Sequence, residues 1–293
     1  MSQTLAEKVN PTKNMVVASH SIGDLRAITN LRRRISTKDM NMDQSLLGQT
    51  ILVTGASGGI GAAVVERLAL EGARPIIHYG KDEGRAQNLL ARIGGNGLIV
   101  QADLSEAEGA FALWRKSVDF AGRVHGLVNN AGIRSEISIE SSAADWRAVW
   151  QREFQINLFA AADLCREAIL HFKTEGGGRI VNIASRAGQR GGAADSMPYS
   201  AAKAAMINLT KSIARSFGQD GASAVCIAPG LVRTDMAEHF LATQSREAAI
   251  GDIPIGDIAE PKEIADLVAF VLRYGQDSLN GATLDVNGGS YIR

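Results

Sequence analysis

The chain has 293 residues, of which 45% are hydrophobic and 21% charged, enough apolar material for a core of ordinary size. Its 31 Lys and Arg residues balance 31 Asp and Glu residues, so no overall field attracts nucleic acid or an anionic membrane surface. The sequence has no run of about 18 apolar residues, which a membrane span would require. We therefore expect neither a nucleic acid nor a membrane as partner.

Residues 1–47 lack the alternation of strands and helices that marks the rest of the chain. Apolar residues between positions 22 and 35 recur at steps of three or four, which is typical of a short amphipathic helix. The basic run at 32–34 suggests a targeting segment, but acidic residues argue against a transit peptide and no apolar segment follows for a secretory signal. We expect a disordered or loosely docked extension over 1–47.

From residue 48 onward, short apolar runs rich in β-branched residues alternate with segments of helical spacing. The runs are TILVTG, RPIIHY, GLIVQAD, VHGLVNN, GRIVNIA, ASAVCIAP and ATLDV. Strands that are apolar on both faces and alternate with helices predict a parallel sheet covered on each side. We therefore predict one α/β domain over 48–293, a Rossmann-type, doubly wound parallel sheet of about seven strands with helices on both faces.

The stretch TGASGGIG (residues 54–61) ends the first predicted strand and opens a helix. It fits a G-x-S-x-G turn with Ser57 as a hydrolase nucleophile, and also a glycine turn that lets phosphates approach a helix N-terminus. The hydrolase turn needs several strands before its serine, and only the irregular extension precedes Ser57. We favour the phosphate-binding turn, in which Ser57 hydrogen-bonds a phosphate or caps the helix.

Tyr199 and Lys203 lie four residues apart in a stretch of helical spacing, so both side chains face one side of a helix. A phenol has a pKa of about 10 in water, too high for acid–base work near neutrality. An ammonium at ~4 Å favours the phenolate by ~4 kcal/mol at an effective dielectric constant of about 20, which equals about three pKa units. We expect a lowered pKa for Tyr199, suited to carbonyl reduction.

Together with further motifs, these patterns resemble the short-chain dehydrogenase/reductase family over residues 48–293. The motifs are TGASGGIG with its G-x-x-x-G-x-G spacing, Asp103 after the third predicted strand, NNAG (129–132), Asn157 in QINL, Ser185 in NIAS, YSAAK (199–203), APG (228–230) with Thr234, and DVNGG (285–289). The resemblance implies an oxidoreductase that interconverts a carbonyl and a secondary alcohol by hydride transfer with NAD(P)(H).

The resemblance also implies roles for the motif residues. Tyr199 would be the general acid/base, and Lys203 would lower its pKa and bind the nicotinamide ribose. Ser185 would orient the carbonyl, and Asn157 would hold a water of a proton relay. The other cofactor contacts that the resemblance implies are Gly55, Ser57, Gly58, Gly59, Ile60, Gly61, Asp103, Leu104, Asn129, Ala131, Gly132, Pro229, Gly230, Val232 and Thr234.

The end of the second predicted strand bears on the choice between NAD and NADP, because an acid there binds the ribose 2′-hydroxyl and repels a 2′-phosphate. Tyr79 occupies the acid's position and Lys81 follows it, so we predict NADP(H) over NAD(H), with both residues among the cofactor contacts. His78, when protonated, is a further candidate for the phosphate. Gly58 and Gly80 argue the other way, because many relatives that use NADP carry a basic residue there.

Two segments are expected to build the substrate pocket, residues 186–198 and a mobile lid over 236–250. Ser185 and Tyr199 would hold the carbonyl, and the remaining substrate candidates are Arg186, Met236 and Phe240. The sequence is also similar to 3-oxoacyl-(acyl carrier protein) reductases, so that activity is an alternative. The basic residues before Asn157 are placed differently from theirs, and a sugar, a polyol or another small ketone is equally open.

A family member that binds dinucleotide without catalysis, as a sensor or scaffold, is an alternative of another class. Loss of the tyrosine or lysine would mark it, and both are present.

Small residues in YSAAKAAMINLTKSIARSF permit close helix pairing, so we expect a homotetramer or homodimer. Neither the two cysteines, Cys165 and Cys226, nor the 5 histidines have ligand-like spacing, which predicts no metal site and a reducing, cytoplasmic location.

Overall fold

The structure is a computed structural model that describes residues 45–242 and 250–293, without the side chains of 239–242. The amphipathic helix and the basic run that we predict before residue 45 lie outside the described residues, as does the part of the predicted lid at 243–249. The strands of the described chain are β1 (Thr50–Val53), β2 (Arg74–Tyr79), β3 (Leu98–Gln101), β4 (Gly126–Asn129), β5 (Gly178–Ile183), β6 (Ala222–Pro229) and β7 (Thr283–Val286).

Helices connect the strands. They are α1 (Gly59–Leu70), α2 (Glu83–Arg92), α3 (Gly109–Ala121), α4 (Ala143–Phe154), α5 (Ala160–Glu175), the short α6 (Ala187–Arg190), α7 (Met197–Phe217), α8 (Asp235–Ala242) and α9 (Pro261–Leu272). A single turn of π-helix, Gln155–Phe159, joins α4 to α5.

The strands described here form one 7-stranded sheet in the order β3-β2-β1-β4-β5-β6-β7. Every neighbouring pair in it is parallel. The chain runs outward from β1 to β3 and then returns to β4 on the other side of β1. This reversal leaves a crevice at the carboxyl ends of β1 and β4, where doubly wound sheets bind their ligands. The structure thus confirms the predicted fold class.

Two apolar clusters cover the two faces of the sheet. On one face, α1 and α9 pack their buried side chains, such as Val65 and Val268, against Ile51, Val128 and Val181. On the other face, α3 and α5 contribute a second cluster that is built around Leu113, Trp114, Leu164 and Phe172. Alternate residues of each strand point to opposite faces, which explains why strands covered on both sides read as continuous apolar runs.

The described chain is already packed before β1 begins. Leu46 is fully buried, and its N–H donates to the carbonyl of Glu71 at 3.0 Å. The Glu71 carboxylate is itself buried and accepts from Ser45, from Arg67 at 2.7 Å and from Arg273 at 2.6 Å. This cluster joins the ends of α1 and α9 to the segment that leads into the sheet.

Among residues 45–242 and 250–293, none of the helices has the length and apolar character that a bilayer crossing demands. The same residues include no group of three or more His, Cys, Asp and Glu side chains that could ligate a metal ion.

Candidate active site

A cavity of about 640 Å³ opens at the carboxyl ends of the central strands. Its floor is the glycine turn between β1 and α1, and one wall follows the ends of β4, β5 and β6. Most residues that we expect at a cofactor site line it, namely Gly55, Gly58, Gly59, Ile60, Asp103, Leu104, Ala131, Gly132, Ser185, Tyr199, Lys203, Pro229, Gly230, Val232 and Thr234. The topology alone brings these residues together, because they follow different strands of one parallel sheet.

The glycine turn has a backbone that side chains would obstruct. Gly55 has φ 60°, and a Cβ there would lie 2.8 Å from the Cα of Ala131. Gly59 has φ 53°, and a Cβ there would lie 3.1 Å from Thr234. Both φ values belong to the left-handed region that favours glycine. The turn therefore offers bare backbone and the start of α1, a combination suited to phosphate groups.

Two residues of the predicted turn lie elsewhere than expected. Gly61 does not line the cavity but packs under the turn, because a Cβ there would lie 2.4 Å from the carbonyl oxygen of Gly55. Ser57 is also absent from the lining, and the N-cap of α1 is Gly58, without a side-chain hydrogen bond. The suggestion that Ser57 caps the helix is thus wrong.

Hydrogen bonds tie the turn to the NNAG segment after β4. Thr54 Oγ1 accepts from the backbone N–H groups of Asn130 and Ala131, each at 3.0 Å. The Asn130 side chain donates to the carbonyls of Thr54 at 2.9 Å and Gly55 at 3.0 Å. Asn129, which we expected in the cleft, is buried below it and donates to Asn182 at 2.9 Å. The sequence analysis did not single out Thr54 or Asn130. The alternation of side chains along β4 could have pointed to Asn130, because it places Asn129 and Asn130 on opposite sides of the strand.

The end of β2 differs from the sequence-based interpretation. Tyr79 packs into the apolar cluster and does not line the cavity, and neither does Lys81; His78 and Gly80 form the wall instead. His78 Nδ1 accepts from the Gly55 N–H at 3.0 Å, and Nε2 lies 3.2 Å from the Ala102 carbonyl. Burial lowers the pKa of His78 to about 4. The imidazole is therefore neutral near pH 7, and the suggestion that it meets a phosphate as a cation is wrong.

Arg85 is a basic residue beside the turn that the sequence analysis missed. A Cβ placed on Gly58 would lie 3.4 Å from Arg85 Nη1. The guanidinium also pairs with Asp235 at the start of α8, at 2.9 Å, and with Asp82 at 3.4 Å. Arg85 thus places a guanidinium beside Gly58, the position at which many relatives that use NADP carry a basic residue. Its place in α2, outside the β2 motif, explains why strand-based reasoning did not find it.

Tyr199, Ser185 and Lys203 converge on the cavity wall. Lys203 Nζ lies 5.8 Å from the centre of the Tyr199 ring and donates to the Ile183 carbonyl at 2.9 Å. The Ser185 side chain lowers the pKa of the Tyr199 phenol, and its hydroxyl accepts from the Ala187 N–H at 3.1 Å. The helix α7 places Tyr199 and Lys203 one turn apart, and the end of β5 brings Ser185 to them.

The pKa of Tyr199 is raised, not lowered as expected. Burial is the main cause, and the Ser185 hydrogen bond and the Arg134 charge only partly oppose it. Burial also lowers the pKa of Lys203 to about 8. Lys203 does not lower the pKa of Tyr199 as expected, because desolvation of the phenol itself raises it.

Asn157 lies behind Lys203, inside the π-helical turn. It is fully buried, and its Oδ1 accepts from the Ile133 N–H at 3.0 Å while Nδ2 donates to the Ile133 carbonyl at 2.9 Å. A Cβ on Gly132 would lie 2.7 Å from Asn157 Oδ1 and 3.4 Å from Lys203 Nζ. The structure thus brings Asn157 next to Lys203, but one layer below the cavity lining. Such π-helical turns often occur at functional sites.

The substrate candidates lie at the outer end of the cavity. Arg186 and Met236 line it, and so do Arg134 and Arg190. Asp252 lies 2.8 Å from Arg190 and 3.6 Å from Arg186, so it shares its charge between them. Phe240 belongs to α8, but its side chain lies outside the described part of the chain.

A glycine turn at the switch point of a parallel sheet, with a tyrosine, a lysine and a serine on the adjoining wall, defines a dinucleotide-binding oxidoreductase. The family model described as short chain dehydrogenase matches residues 49–245 of this sequence. The chain therefore belongs to the short-chain dehydrogenase/reductase family, as its motifs indicated, and is an oxidoreductase that acts on CH–OH or carbonyl groups with NAD(P).

Relatives support this assignment along nearly the whole described chain. A 3-oxoacyl-[acyl-carrier-protein] reductase of Vibrio cholerae is 35% identical over 249 residues, which cover 85% of this chain and 99% of that protein. One from Synechocystis is 34% identical, with coverages of 84% and 98%. A solved dehydrogenase/reductase of Sinorhizobium meliloti superposes with a TM-score of 0.76 at 34% identity, covering 86% of this chain and 98% of that chain. A Serratia marcescens short-chain dehydrogenase/reductase gives 0.77 at 30% identity, covering 85% and 100%.

The residues present fit a dinucleotide. Gly58 and Gly59 leave the N-terminal backbone of α1 open to a pyrophosphate, and Asp103 and Leu104 line the side of the cavity next to β3. Asp103 Oδ1 accepts from the Ser105 N–H at 2.9 Å and from its hydroxyl at 2.6 Å, which lowers the pKa of Asp103.

Proposed function

We propose that this protein interconverts a carbonyl and a secondary alcohol with NAD(P)(H), with Tyr199 as the general acid/base and Lys203, Ser185 and Asn157 as its partners. One observation carries the proposal: Ser185, Tyr199 and Lys203 line one wall of the cavity, where Ser185 acts to lower the pKa of the Tyr199 phenol and Lys203 Nζ lies 5.8 Å from the centre of its ring. Two hydroxyl groups side by side suit a single carbonyl oxygen, which accepts two hydrogen bonds.

Each of these four side chains has a separate role in the proposed reaction. In ketone reduction, Tyr199 donates its proton to the substrate oxygen, and Ser185 donates a second hydrogen bond that orients the carbonyl. Lys203 contributes a positive charge that favours the phenolate left behind, and Asn157 holds the water through which the proton is restored from solvent. A bound nicotinamide would supply the hydride in reduction and accept it in alcohol oxidation. Gly55, Gly58 and Gly59 would hold its pyrophosphate, and Pro229, Gly230, Val232 and Thr234 would hold its carboxamide end.

We also propose a preference for NADP(H) over NAD(H). The cavity wall at the end of β2 carries Gly80 and no carboxylate, so nothing at this position repels a 2′-phosphate. Arg85 lies beside Gly58 and supplies a guanidinium at the turn, and its bidentate fork suits phosphate. In this arrangement a phosphate replaces Asp235 as the partner of Arg85. Lys81 follows Gly80 in the same loop and adds a second positive charge.

A second candidate function is the reduction of 3-oxoacyl groups on acyl carrier protein. Relatives named for that activity, such as the one of Vibrio cholerae, are 35% identical over 85% of this chain, which favours it. A free sugar, polyol or other small ketone is the competing substrate class. The non-catalytic sensor or scaffold is the alternative of another class, and the presence of both Tyr199 and Lys203 argues against it.

We propose a homotetramer or homodimer in the cytoplasm. Two large apolar side chains are exposed, Phe159 in the π-helical turn (50% exposed) and Leu170 on α5 (49% exposed). Together with the small residues of α7, they support self-association. Cys165 and Cys226 are free and buried, which suits a reducing compartment. Light scattering at micromolar concentration tests the assembly, and a monomer contradicts it.

The deciding experiment uses the purified full chain with NADPH and NADH against ketones, 3-oxoacyl thioesters and sugars. We expect turnover with at least one carbonyl class, and a loss of about 10²–10⁴-fold in Tyr199→Phe with cofactor binding retained. Tyr274→Phe is the control, because Tyr274 is exposed on the surface. NADPH binding without any turnover across the panel would contradict the catalytic function and favour the sensor.

A further inference from the structure

Glu153 is a buried carboxylate beside the proposed catalytic side chains, and the mechanism above does not use it. Its exposure is 0%, and it is the sole buried residue of α4, a helix that the structure describes over its whole length. Acidic side chains are almost never fully buried unless they are paired. Packing of α4 alone therefore does not explain a fully buried carboxylate at this position.

Both carboxylate oxygens have N–H donors. Oε1 accepts from the backbone N–H of Ser135 at 2.5 Å, and Oε2 accepts from Asn157 Nδ2 at 2.6 Å. An ionised carboxylate only accepts hydrogen bonds, so two donors match the charged form. Burial raises the pKa of Glu153, while the Ser135 hydrogen bond and the charges of Lys203 and Arg152 oppose that effect. Hydrogen bonding thus supports the ionised form against the cost of burial.

The hydrogen bond from Asn157 to Glu153 reinforces the amide orientation that the Ile133 backbone also favours, because the Ile133 carbonyl accepts from the same Nδ2 at 2.9 Å. Because the carboxylate only accepts, Nδ2 must face Glu153, and Oδ1 then faces the Ile133 N–H at 3.0 Å. The amide oxygen also lies on the Gly132 side, where Lys203 Nζ is the next neighbour. Glu153 therefore holds an amide that lies on the Lys203 side, and it acts on Lys203 through its own charge.

Charged groups from several elements face Tyr199 and Lys203. Arg134, after β4, lowers the pKa of Tyr199 and Glu153 raises it, although burial is the larger cause of its raised value. Burial lowers the pKa of Lys203, and a negative charge on Cys226 of β6 or on Glu153 of α4 would oppose that shift. The Cys226 thiol does not supply such a charge, because burial raises its pKa to about 12. Among these groups, Glu153 is therefore the one whose negative charge stabilises the Lys203 ammonium.

We propose that Glu153 is a positioning residue of this site: its carboxylate holds the Asn157 amide in one orientation and keeps the Lys203 ammonium protonated while the site is closed to water. The inference rests on the proposed roles of Tyr199 and Lys203. It assigns to this chain a buried acid, an amide and an ammonium that lie together behind the phenol, namely Glu153, Asn157 and Lys203.

The first test is the ionisation of Lys203 itself, which does not depend on turnover. The full chain is labelled with ¹³C at lysine Cε, and the Lys203 signal is assigned by its absence in Lys203→Met. We expect a titration midpoint at about 8 in the parent, as burial dictates. In Glu153→Gln we expect that midpoint to fall by about one unit, because a nearby negative charge has been removed.

The second test is the pH profile of kcat for ketone reduction. Its alkaline limb reports loss of protons from Tyr199 and Lys203, so it should move to lower pH by about one unit in Glu153→Gln, with KM changed less than about twofold. Glu153→Asp keeps the charge and should keep the parent's midpoint. Arg147→Gln is the control on the same helix, because Arg147 is solvent-exposed and its charge is screened.

Each outcome decides. Midpoints that move in Glu153→Gln but not in Glu153→Asp support the proposal; unmoved midpoints, or a uniform fall of kcat at every pH, overturn it. Glu153→Met removes the charge without an added donor, in case the amide of the Gln variant prevents folding. If neither neutral variant folds while Glu153→Asp does, the carboxylate serves stability alone and the proposal is wrong. A parent without turnover contradicts the proposed function, whereas the Lys203 titration still tests this inference.

Discussion

The Nδ1 atom of His78 accepts a hydrogen bond from the Gly55 N–H at 3.0 Å. This contact ties the end of β2 to the glycine turn after β1 and so sets the floor of the cofactor cavity. It requires an imidazole with a free lone pair at Nδ1, and the Ala102 carbonyl at Nε2 selects the matching tautomer.

The first prediction follows from that contact. Burial lowers the pKa of His78 to about 4 from an ordinary value of 6.5. As the pH falls, the unfolded chain therefore takes up a proton at His78 before the folded chain does. Stability from this group is complete above about pH 6.5 and falls as the pH drops towards 4, by up to about 3 kcal/mol. Chemical denaturation of the parent and of His78→Asn between pH 4 and 7 measures it. The Asn variant keeps an acceptor for Gly55 and should lose less stability; identical pH slopes would contradict the prediction.

A second prediction concerns Gly55. In Gly55→Ala the added Cβ meets the Ala131 backbone at 2.8 Å, and we expect cofactor affinity to fall by about 100-fold or more as the turn shifts. Gly94→Ala is the matched control, because Gly94 also has a positive φ, 69°, but nothing lies within 4 Å of its Cβ position. That variant should lose about 1 kcal/mol of stability and bind cofactor normally. Isothermal titration with both variants checks this, and equal losses of affinity would show that backbone strain alone is responsible.

A third prediction separates the two nicotinamide cofactors. Arg85→Ala should weaken NADPH binding by about tenfold and leave NADH binding unchanged, because only the former carries a 2′-phosphate. Asp235→Asn should strengthen NADPH binding, since it frees the guanidinium from its present partner at 2.9 Å. Arg92→Ala, on the same helix but paired with Glu66, is the control. If Arg85→Ala weakens both cofactors equally, Arg85 acts through its contact with α8 and the assignment is refuted.

The fourth prediction concerns the buried Glu71 cluster. Although burial tends to raise the pKa of Glu71, hydrogen bonds from Arg273 and Ser45 outweigh that effect and hold it below its usual value. Its stabilising contribution is therefore present above about pH 4.5 and is lost as the pH falls below it. Glu71→Gln should cost about 3 kcal/mol near neutral pH, because it removes the charge of the buried carboxylate that the partly buried Arg67 and Arg273 share.

Glu66→Gln provides the comparison for Glu71, since it breaks an exposed ion pair with Arg92 and should cost less than about 1 kcal/mol. Urea denaturation of both variants measures the difference. Equal, small losses would mean that the Glu71 cluster contributes no more than a surface pair.

Local sequence patterns carried most of the fold and much of the site. The β-branched runs predict a parallel sheet, because a strand buried on both faces must be apolar at consecutive positions. The glycine turn and Ser185 could be placed at one edge of that sheet because each follows a strand, whereas Tyr199 and Lys203, which lie within a helix, were placed there by the resemblance to the family. The strand and turn predictions depend on residues that are neighbours along the chain, which is why they succeeded.

By itself, the sequence determined the fold class, the family and which side chains meet at the carboxyl ends of the strands. Only the tertiary structure decided that Tyr79 packs inward while His78 supports the turn, that Arg85 reaches Gly58 from α2, and that Glu153 stands behind Lys203. It also reversed the expected direction of the Tyr199 pKa. The physical reason is that burial and charge act through space: desolvation depends on every element packed around a group, and no local spacing encodes that environment.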